Sequence, residues 1–266
     1  MDDQWSQRRG GERAVSSNAM DALDIEFTRP LRAGTLIRRY KRFLAEVRLT
    51  DGEVITAHCP NSGSMLSVST PGAPVWLSES DNPKRKYPFT WEIVSCDGVP
   101  VGINTGWPNT IVARAIARGA IPELAGYARL RREVRYGAHS RIDMILEDDR
   151  RPSCLIEVKN VTMRRSMTVG APCEFPDAVT VRGTKHLLDL VHAVDAGMRA
   201  VMFFLVQRAD GVRMTIADDI DPVYDKTLRM AVSRGVEILS YHCEVSETGI
   251  RLAGRSEFLS LNAAVT

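Results

Sequence analysis

The stretch CLIEVKNV, residues 154–161, constrains this chain more than any other. Leu155, Ile156, Val158 and Val161 are the apolar, mostly β-branched residues of a buried strand, yet Glu157 and Lys159 lie within it. Side chains alternate across a strand, so residues two apart share a face. A carboxylate and an ammonium therefore leave one face of an apolar element, and a buried charge without a partner is very costly. Either the two close on each other as a structural ion pair, or they serve a site. Asp143 sharpens the choice. It sits fourteen residues before Glu157 in a segment of similar character, SRIDMIL, and the short connection EDDRRPS suits a hairpin. Asp143 and Glu157 then lie side by side on adjacent strands, pointing to one face.

Two converging carboxylates repel unless something positive sits between them. A hard divalent cation, Mg²⁺ or Mn²⁺, accepts a few carboxylate and carbonyl oxygens and leaves its other positions to water or phosphate. Asp143, Glu157 and the backbone carbonyl of Val158 are the expected metal-holding set. Lys159 next to them can orient or deprotonate an attacking water, or balance charge in a phosphoryl transition state. Asp143, Glu157 and Lys159 are thus the expected catalytic residues of a metal-dependent phosphodiester cleavage.

Composition sets the class. With 44% hydrophobic and 26% charged residues, the 266-residue chain has the balance of a soluble globular protein. No apolar run reaches the ~18 residues of a membrane span. The first twenty residues lack the apolar centre of a signal peptide and read as a disordered tail, taken as 1–22. Five scattered cysteines with no CxxC spacing indicate neither a disulfide framework nor a zinc knuckle, and fit a reducing cytoplasm. The formal net charge of +2 does not by itself imply nucleic acid, but its distribution is uneven. Arg38, Arg39, Lys41 and Arg42 form one basic word, RRYKR; Lys84, Arg85 and Lys86 form another, KRKY; and Arg129, Arg131, Arg132 and Arg135 crowd a third segment. The first two interleave tyrosine with the cations, as a backbone-tracking, base-stacking groove requires. They suit a nucleic-acid partner with little base readout, since no helix-turn-helix is evident. A homo-oligomer is left open.

Organisation changes near residue 104. YKRFLAEVRL, VITAHC, PGAPVWLSES, YPFTWEIVSC and VPVGINT read as five short strands, with Asp51-Gly52 and Asp97-Gly98 as hairpin turns. That pattern predicts a small barrel of the OB type over 23–103. Residues 104–266 alternate: a helix from Asn109, read as its N-cap, to Gly119; strands near 130–137, 140–147 and 153–161; a helix TKHLLDLVHAVDAG; the apolar strand RAVMFFLVQR; a helix capped by Asp221 and stopped by Gly235; and a last strand, VEILSYHC. The order α-β-β-β-α-β-α-β gives an α/β (α+β) domain on a mixed sheet. HCPNSGSM, at the end of a barrel strand, is either a well-specified turn or a phosphate-contacting loop. His58 and Cys59 within it have no matching ligand pair and are not read as a metal site.

An aspartate followed across a hairpin by an apolar-flanked Glu-x-Lys resembles the PD-(D/E)xK nuclease superfamily. More specifically, the words HCPNSGSM, NPKRKY, SRIDMIL, CLIEVKNVT, FPDAVTVRGTKHL and IDPVY, in this order, resemble the sugar fermentation stimulation protein family of bacteria and archaea. The resemblance implies an OB-fold-like domain followed by a nuclease-like domain, and DNA binding; it does not imply proof of cleavage. Asp143, Glu157 and Lys159 match the family's acidic position after SR and its E-V-K. Glu133 falls where related nucleases often carry a further acidic residue. Asp177 of FPD follows the Glu-x-Lys, so it is not the superfamily's namesake aspartate; it is expected to cap or brace the next helix or lie at the site rim. That helix, with Arg182, Lys185 and His186, faces the scissile phosphate in related folds, so Arg182 and His186, together with Arg141, join the expected DNA contacts. Two rival readings stand beside the nuclease: a non-catalytic regulator of sugar-utilisation genes, and an interaction scaffold in which these charges form a structural network.

Overall fold

The computed structural model describes residues 22–136, 140–166 and 168–259. The tail expected over 1–22 lies outside the described residues apart from its last position. A two-residue strand, β1 (Ile25–Glu26), precedes six strands: β2 (Arg32–Tyr40), β3 (Leu44–Leu49), β4 (Val54–His58), β5 (Pro74–Glu79), β6 (Phe89–Cys96) and β7 (Val99–Gly102). These six form one sheet in the order β4-β3-β2-β5-β6-β7, and a parallel contact between His58 and Thr90 closes it into a barrel. Period-two burial fills the interior with Leu36, Val47, Leu77 and Trp91. Asp97 and Gly98 both take positive φ, 52° and 81°, as a tight hairpin turn demands. YKRFLAEVRL is not one strand. Lys41 and Arg42 adopt φ of 47° and 64°, so the chain reverses there without a glycine, and the strand before the turn is Arg32–Tyr40.

The second unit opens with α1 (Pro108–Ala117) and continues through β8 (Arg129–Tyr136), β9 (Ser140–Asp148), β10 (Arg151–Val161), β11 (Cys173–Phe175), α2 (Val181–Asp195), β12 (Arg199–Val206), β13 (Arg213–Ile216), α3 (Pro222–Ser233), β14 (Glu237–Val245), β15 (Gly249–Arg255) and β16 (Glu257–Phe258). The main sheet runs β1-β15-β14-β12-β10-β9-β8, and β11-β13-β16 form a small second one. Strands β10, β12 and β14 are parallel, linked by crossovers through α2 and α3. Both helices cover one face of the sheet and α1 covers the other, so β12 is buried on both sides. Its Val201, Phe203 and Leu205 pack in the core that holds α1, and Ala200, Met202 and Phe204 in the core that holds α2 and α3. This is why that strand reads as a continuous apolar run.

Three sequence expectations change. Asn109 does not cap α1. Pro108 occupies its first turn, which moves the cap to Trp107, and no side chain bonds there. The expected order lacked β1, β11, β13, β15 and β16, which are two to seven residues long. In β15 the glycines weaken the strand signal; Gly249 is required there, because a Cβ would stand 2.2 Å from the Ile25 carbonyl. Finally, Ile25–Glu26 falls within the range expected for the barrel but pairs with β15 in the other sheet.

The two units are fastened at several points. Asp177 accepts the Met65 N–H at 2.9 Å through its carboxylate and the Ser64 hydroxyl at 2.6 Å through its carbonyl. The Gly102 N–H donates to the Gln207 carbonyl at 2.9 Å. Glu92, buried in the barrel, accepts from Asn104 and from the Trp107 indole, both at 2.8 Å, and so fixes the start of α1.

Candidate metal and catalytic site

The charged residues of β10 and β9 stand at facing positions, with Asp143 bonded by Asn109 of α1 and Glu157 held by His186 of α2, two helices on opposite faces of the sheet. The ladder between these strands pairs Met144 with Ile156, and the next position outward sets Asp143 against Glu157. On the other side of β9, Arg132 pairs with Met144 and Val134 with Ile142, which brackets Glu133 against Asp143. Three carboxylates therefore stand in one row across β8, β9 and β10. The regular alternation of β9 breaks at this row: Met144 and Leu146 pack in the core beneath α1, whereas Ile142 packs in the core beneath α2. Where the ladder stops, the Asp143 carboxylate takes over and accepts the Val158 N–H at 2.8 Å.

Asn109 is the residue that the sequence reading missed as functional. Its side-chain amide donates to Asp143 at 2.9 Å and to Glu133 at 3.1 Å, so the start of α1 is tied across the row. A polar residue directly after the helix-initiating Pro108 was the available signal. Glu133 itself has φ of 52°, a left-handed conformation unusual for a non-glycine residue.

Glu157 is 2% exposed and points toward α2. Its Oε1 accepts from the Lys159 ammonium at 2.7 Å and is in contact with Nδ1 of His186, which lies one turn into α2. The Arg182 Nε donates to His186 Nε2 at 3.3 Å, and the Lys159 ammonium stands 3.1 Å from Nδ1. The other oxygen, Glu157 Oε2, is buried and has no hydrogen-bond partner.

The two central carboxyls titrate in opposite directions. Burial, and then the nearby Glu157 charge, raise Asp143 above the ordinary range, against the pull of Val158 and Asn109. Burial also works to raise Glu157, but the His186 hydrogen bond and the Lys159 ammonium outweigh it and hold the group low. An all-oxygen set of two carboxylates and a backbone carbonyl is what a hard divalent ion takes. The unsatisfied Oε2 and the raised Asp143 are what a site short of a cation presents. Among the described residues, no three histidine, cysteine or acidic side chains stand together as a preformed metal cluster. The residues fit a metal held by two side chains, a carbonyl and solvent or phosphate.

The expected DNA contacts occupy varied positions. Arg38 pairs with Glu46 at 2.7 Å. Arg39 donates to the carbonyls of Arg42, Asn61, Gly63 and Ser64 and thereby staples the HCPNSGSM loop to the β2–β3 turn. Arg85 donates to Thr90 at 3.1 Å, and Lys86 lies over the Tyr87 ring. Lys41, Arg42, Lys84, Arg141 and Arg182 are exposed, and His186 belongs to the carboxylate cluster. Asp177 does not cap α2; Thr180 does, accepting the Gly183 N–H at 3.0 Å.

Comparison with known proteins agrees with this layout. Residues 37–103 match the SfsA N-terminal OB domain and residues 106–249 the sugar fermentation stimulation protein RE domain. A sugar fermentation stimulation protein homolog of Rhodospirillum rubrum is 57% identical over 226 residues, covering 82% of this chain and 92% of its own. A homolog of Geobacter sulfurreducens is 55% identical over 232 residues, covering 87% and 97%. The solved structure of Pyrococcus furiosus SfsA in complex with Ca²⁺ superposes with a TM-score of 0.79 at 24% identity, covering 90% of this chain and 99% of that one. By its barrel, its mixed sheet and these likenesses, the chain belongs to the sugar fermentation stimulation protein (SfsA) family.

Proposed function

We propose that this protein binds DNA and hydrolyses phosphodiester bonds with the help of Mg²⁺ or Mn²⁺. The observation that carries the reading is the pairing of Asp143 with Glu157 across neighbouring strands, with Lys159 against Glu157 and one buried Glu157 oxygen left without a partner. That the Pyrococcus furiosus relative was solved with Ca²⁺ supports a divalent ion in this fold. The OB domain supports nucleic acid as the substrate, and five free cysteines are consistent with a cytoplasmic setting. No helix among the described residues is long and apolar enough to cross a membrane.

Asp143, Glu157 and the Val158 carbonyl would hold the ion, which when bound would supply Lewis acidity toward a phosphoryl oxygen and a water of lowered pKa. Asn109 orients Asp143. Lys159 places its ammonium beside the reacting phosphate and offsets developing negative charge. His186 keeps Glu157 ionised and in place, so that carboxylate does not take the proton the water must lose.

One observation favours a second reading. Glu157 is already paired with Lys159 and in contact with His186, as in a binding protein that retains a nuclease scaffold without the chemistry. One assay separates the two. Linear duplex, single-stranded and circular DNA are incubated with Mg²⁺ or Mn²⁺ beside a Lys159→Ala control. Metal-dependent cleavage that the substitution reduces by 10²-fold or more supports the nuclease. DNA retained in EDTA but cut with neither metal supports the regulator and overturns the enzyme.

A further inference from the structure

The cleft between barrel and sheet holds two adjoining cavities that no part of the catalytic reading uses. The outer one, about 510 Å³, is rimmed by Arg42, Ser62 and Ser64 from the barrel and by Ala178 and Thr180 from the entry to α2. The inner one, about 190 Å³, is walled by Thr105, Asn160, Thr162, Met163 and Glu174. Ser62, Gly63, Phe175 and Asp177 line both, so the two adjoin along these residues. Clefts of about 300–1,000 Å³ at domain junctions are where small ligands bind.

The cleft has a built charge gradient. At its mouth stand the exposed guanidinium of Arg42 and hydroxyl of Ser62, neither of which has a hydrogen bond or ion pair among the described residues. Arg42 is held there by force of structure. Its backbone is left-handed, and its carbonyl accepts two bonds from Arg39, which also grips Asn61, Gly63 and Ser64. The β2–β3 turn and the 61–64 loop are thereby one rigid wall. Gly63 lets this wall approach the other side: a Cβ there would stand 2.9 Å from the Asp177 carboxylate. Deeper in, the lining turns to neutral donors and acceptors, the apolar Met163 and Phe175, and two carboxylates already engaged, Asp177 with the Met65 N–H and Glu174 with Arg165. The inner lining carries no lysine or arginine to hold a bare polyanion. A flat, neutral heterocycle with N–H donors on its edge is accepted, provided that any phosphate it carries stays at the cationic mouth.

We infer that the interdomain cleft is a binding site for a nucleoside monophosphate unit, with the phosphate on Arg42 and Ser62 and the base in the inner cavity. The unit is either a free nucleotide or the terminal nucleotide of a strand.

The test is calorimetric titration of the full chain, in EDTA, with 5′-dAMP, 5′-dCMP, deoxyadenosine and inorganic phosphate. Because no metal is present, the result is independent of whether the protein cleaves DNA. Wild type is expected to bind the monophosphates at least tenfold more tightly than deoxyadenosine or inorganic phosphate. Arg42→Gln, an exposed and fold-neutral change, is expected to raise the nucleotide Kd tenfold or more. Thr162→Val should raise it for nucleotide but not for inorganic phosphate. Competition by a linear 5′-phosphorylated oligonucleotide, but not by circular single-stranded DNA, identifies a strand end; competition by neither identifies a free nucleotide. The inference is overturned by no nucleotide binding, by inorganic phosphate binding as tightly as nucleotide, or by an Arg42→Gln protein that melts like wild type and binds nucleotide unchanged.

Discussion

At Glu157, burial and charge pull against each other, and charge prevails because two cationic or proton-donating groups meet one carboxylate oxygen. The sign of the linkage follows. A carboxyl held low in the folded state adds stability above its unfolded value, and that stability is lost as pH falls through the lowered folded value. His186→Ala removes the largest lowering influence, so it should cost about 1.5–3 kcal/mol near neutral pH, the range for a hydrogen bond to a charged group. Its effect should shrink as pH falls from neutrality through that lowered folded value, once Glu157 is protonated in both proteins. Thermal melts of the two proteins across that interval check it; a pH-independent difference would mean that His186 acts by packing alone. Asp143 carries the opposite sign. Its folded value is raised, so the ionised carboxylate weighs against the metal-free fold at neutral pH. Asp143→Asn keeps an acceptor for the Val158 N–H and removes the charge. In EDTA the variant should melt a few degrees higher than wild type, and it should lose the stabilisation that Mg²⁺ gives wild type. A lower melting point in EDTA would make the row a structural network. The facing positions of Asp143 and Glu157, and the Glu157–Lys159 pair, were legible because a short hairpin sets the strand register and residues two apart share a face. Asn109 and His186 were not, since they come from two helices on opposite faces, and no local pattern reports which helix position meets a strand.

The elements that present these side chains are pinned by their ends. Asp221 is the N-cap of α3, accepting the Tyr224 N–H at 2.9 Å, and its other oxygen accepts the N–H of Thr180, itself the cap of α2, at 2.8 Å. One buried carboxylate thus ties the starts of both crossover helices, and with them the position of His186. Asp221→Ala should cost about 2–4 kcal/mol in urea unfolding, a lost cap together with a stranded buried N–H. Asp225→Ala, which removes only a surface pair with Arg229 four residues on, should cost about 0.3–0.5 kcal/mol. Equal costs would refute the double role. The helix starts at Asp221 and Pro222, and the stops at Gly197 and Gly235, follow from sequence because cap chemistry is local. Strands β1 and β15 do not, because their only signal is a partner more than two hundred residues away.

For the whole molecule, the basic words divide by what each cation already holds. Arg39 is occupied by four carbonyls, whereas Lys41, Lys84 and Lys86 are exposed. DNA affinity should fall steeply with salt, with a slope of about −0.9 per neutralised phosphate on duplex and about −0.7 on single strands. Lys84→Ala or Lys86→Ala should flatten that slope by about one such step. Arg39→Ala should instead lower stability, with the slope altered only as far as the loop moves. Filter binding over a salt series, beside melts of each variant, distinguishes them. The barrel followed by a mixed sheet was readable from turn spacing and strand length; the fastening of one to the other was not, since Ser64 and Asp177 are 113 residues apart. The pairing of β1 with β15 also bears on how the protein is made. Ile25 leaves the ribosome early, but the strand it pairs with lies at 249–255. Throughout most of translation the barrel has all its strand partners available, while this short strand has none, and the buried Asp24 beside it meets Arg118 early but the Leu252 N–H only at the end. The seven-stranded sheet can gain its outer edge only after synthesis has passed residue 255, so the barrel matures first and the sheet closes last.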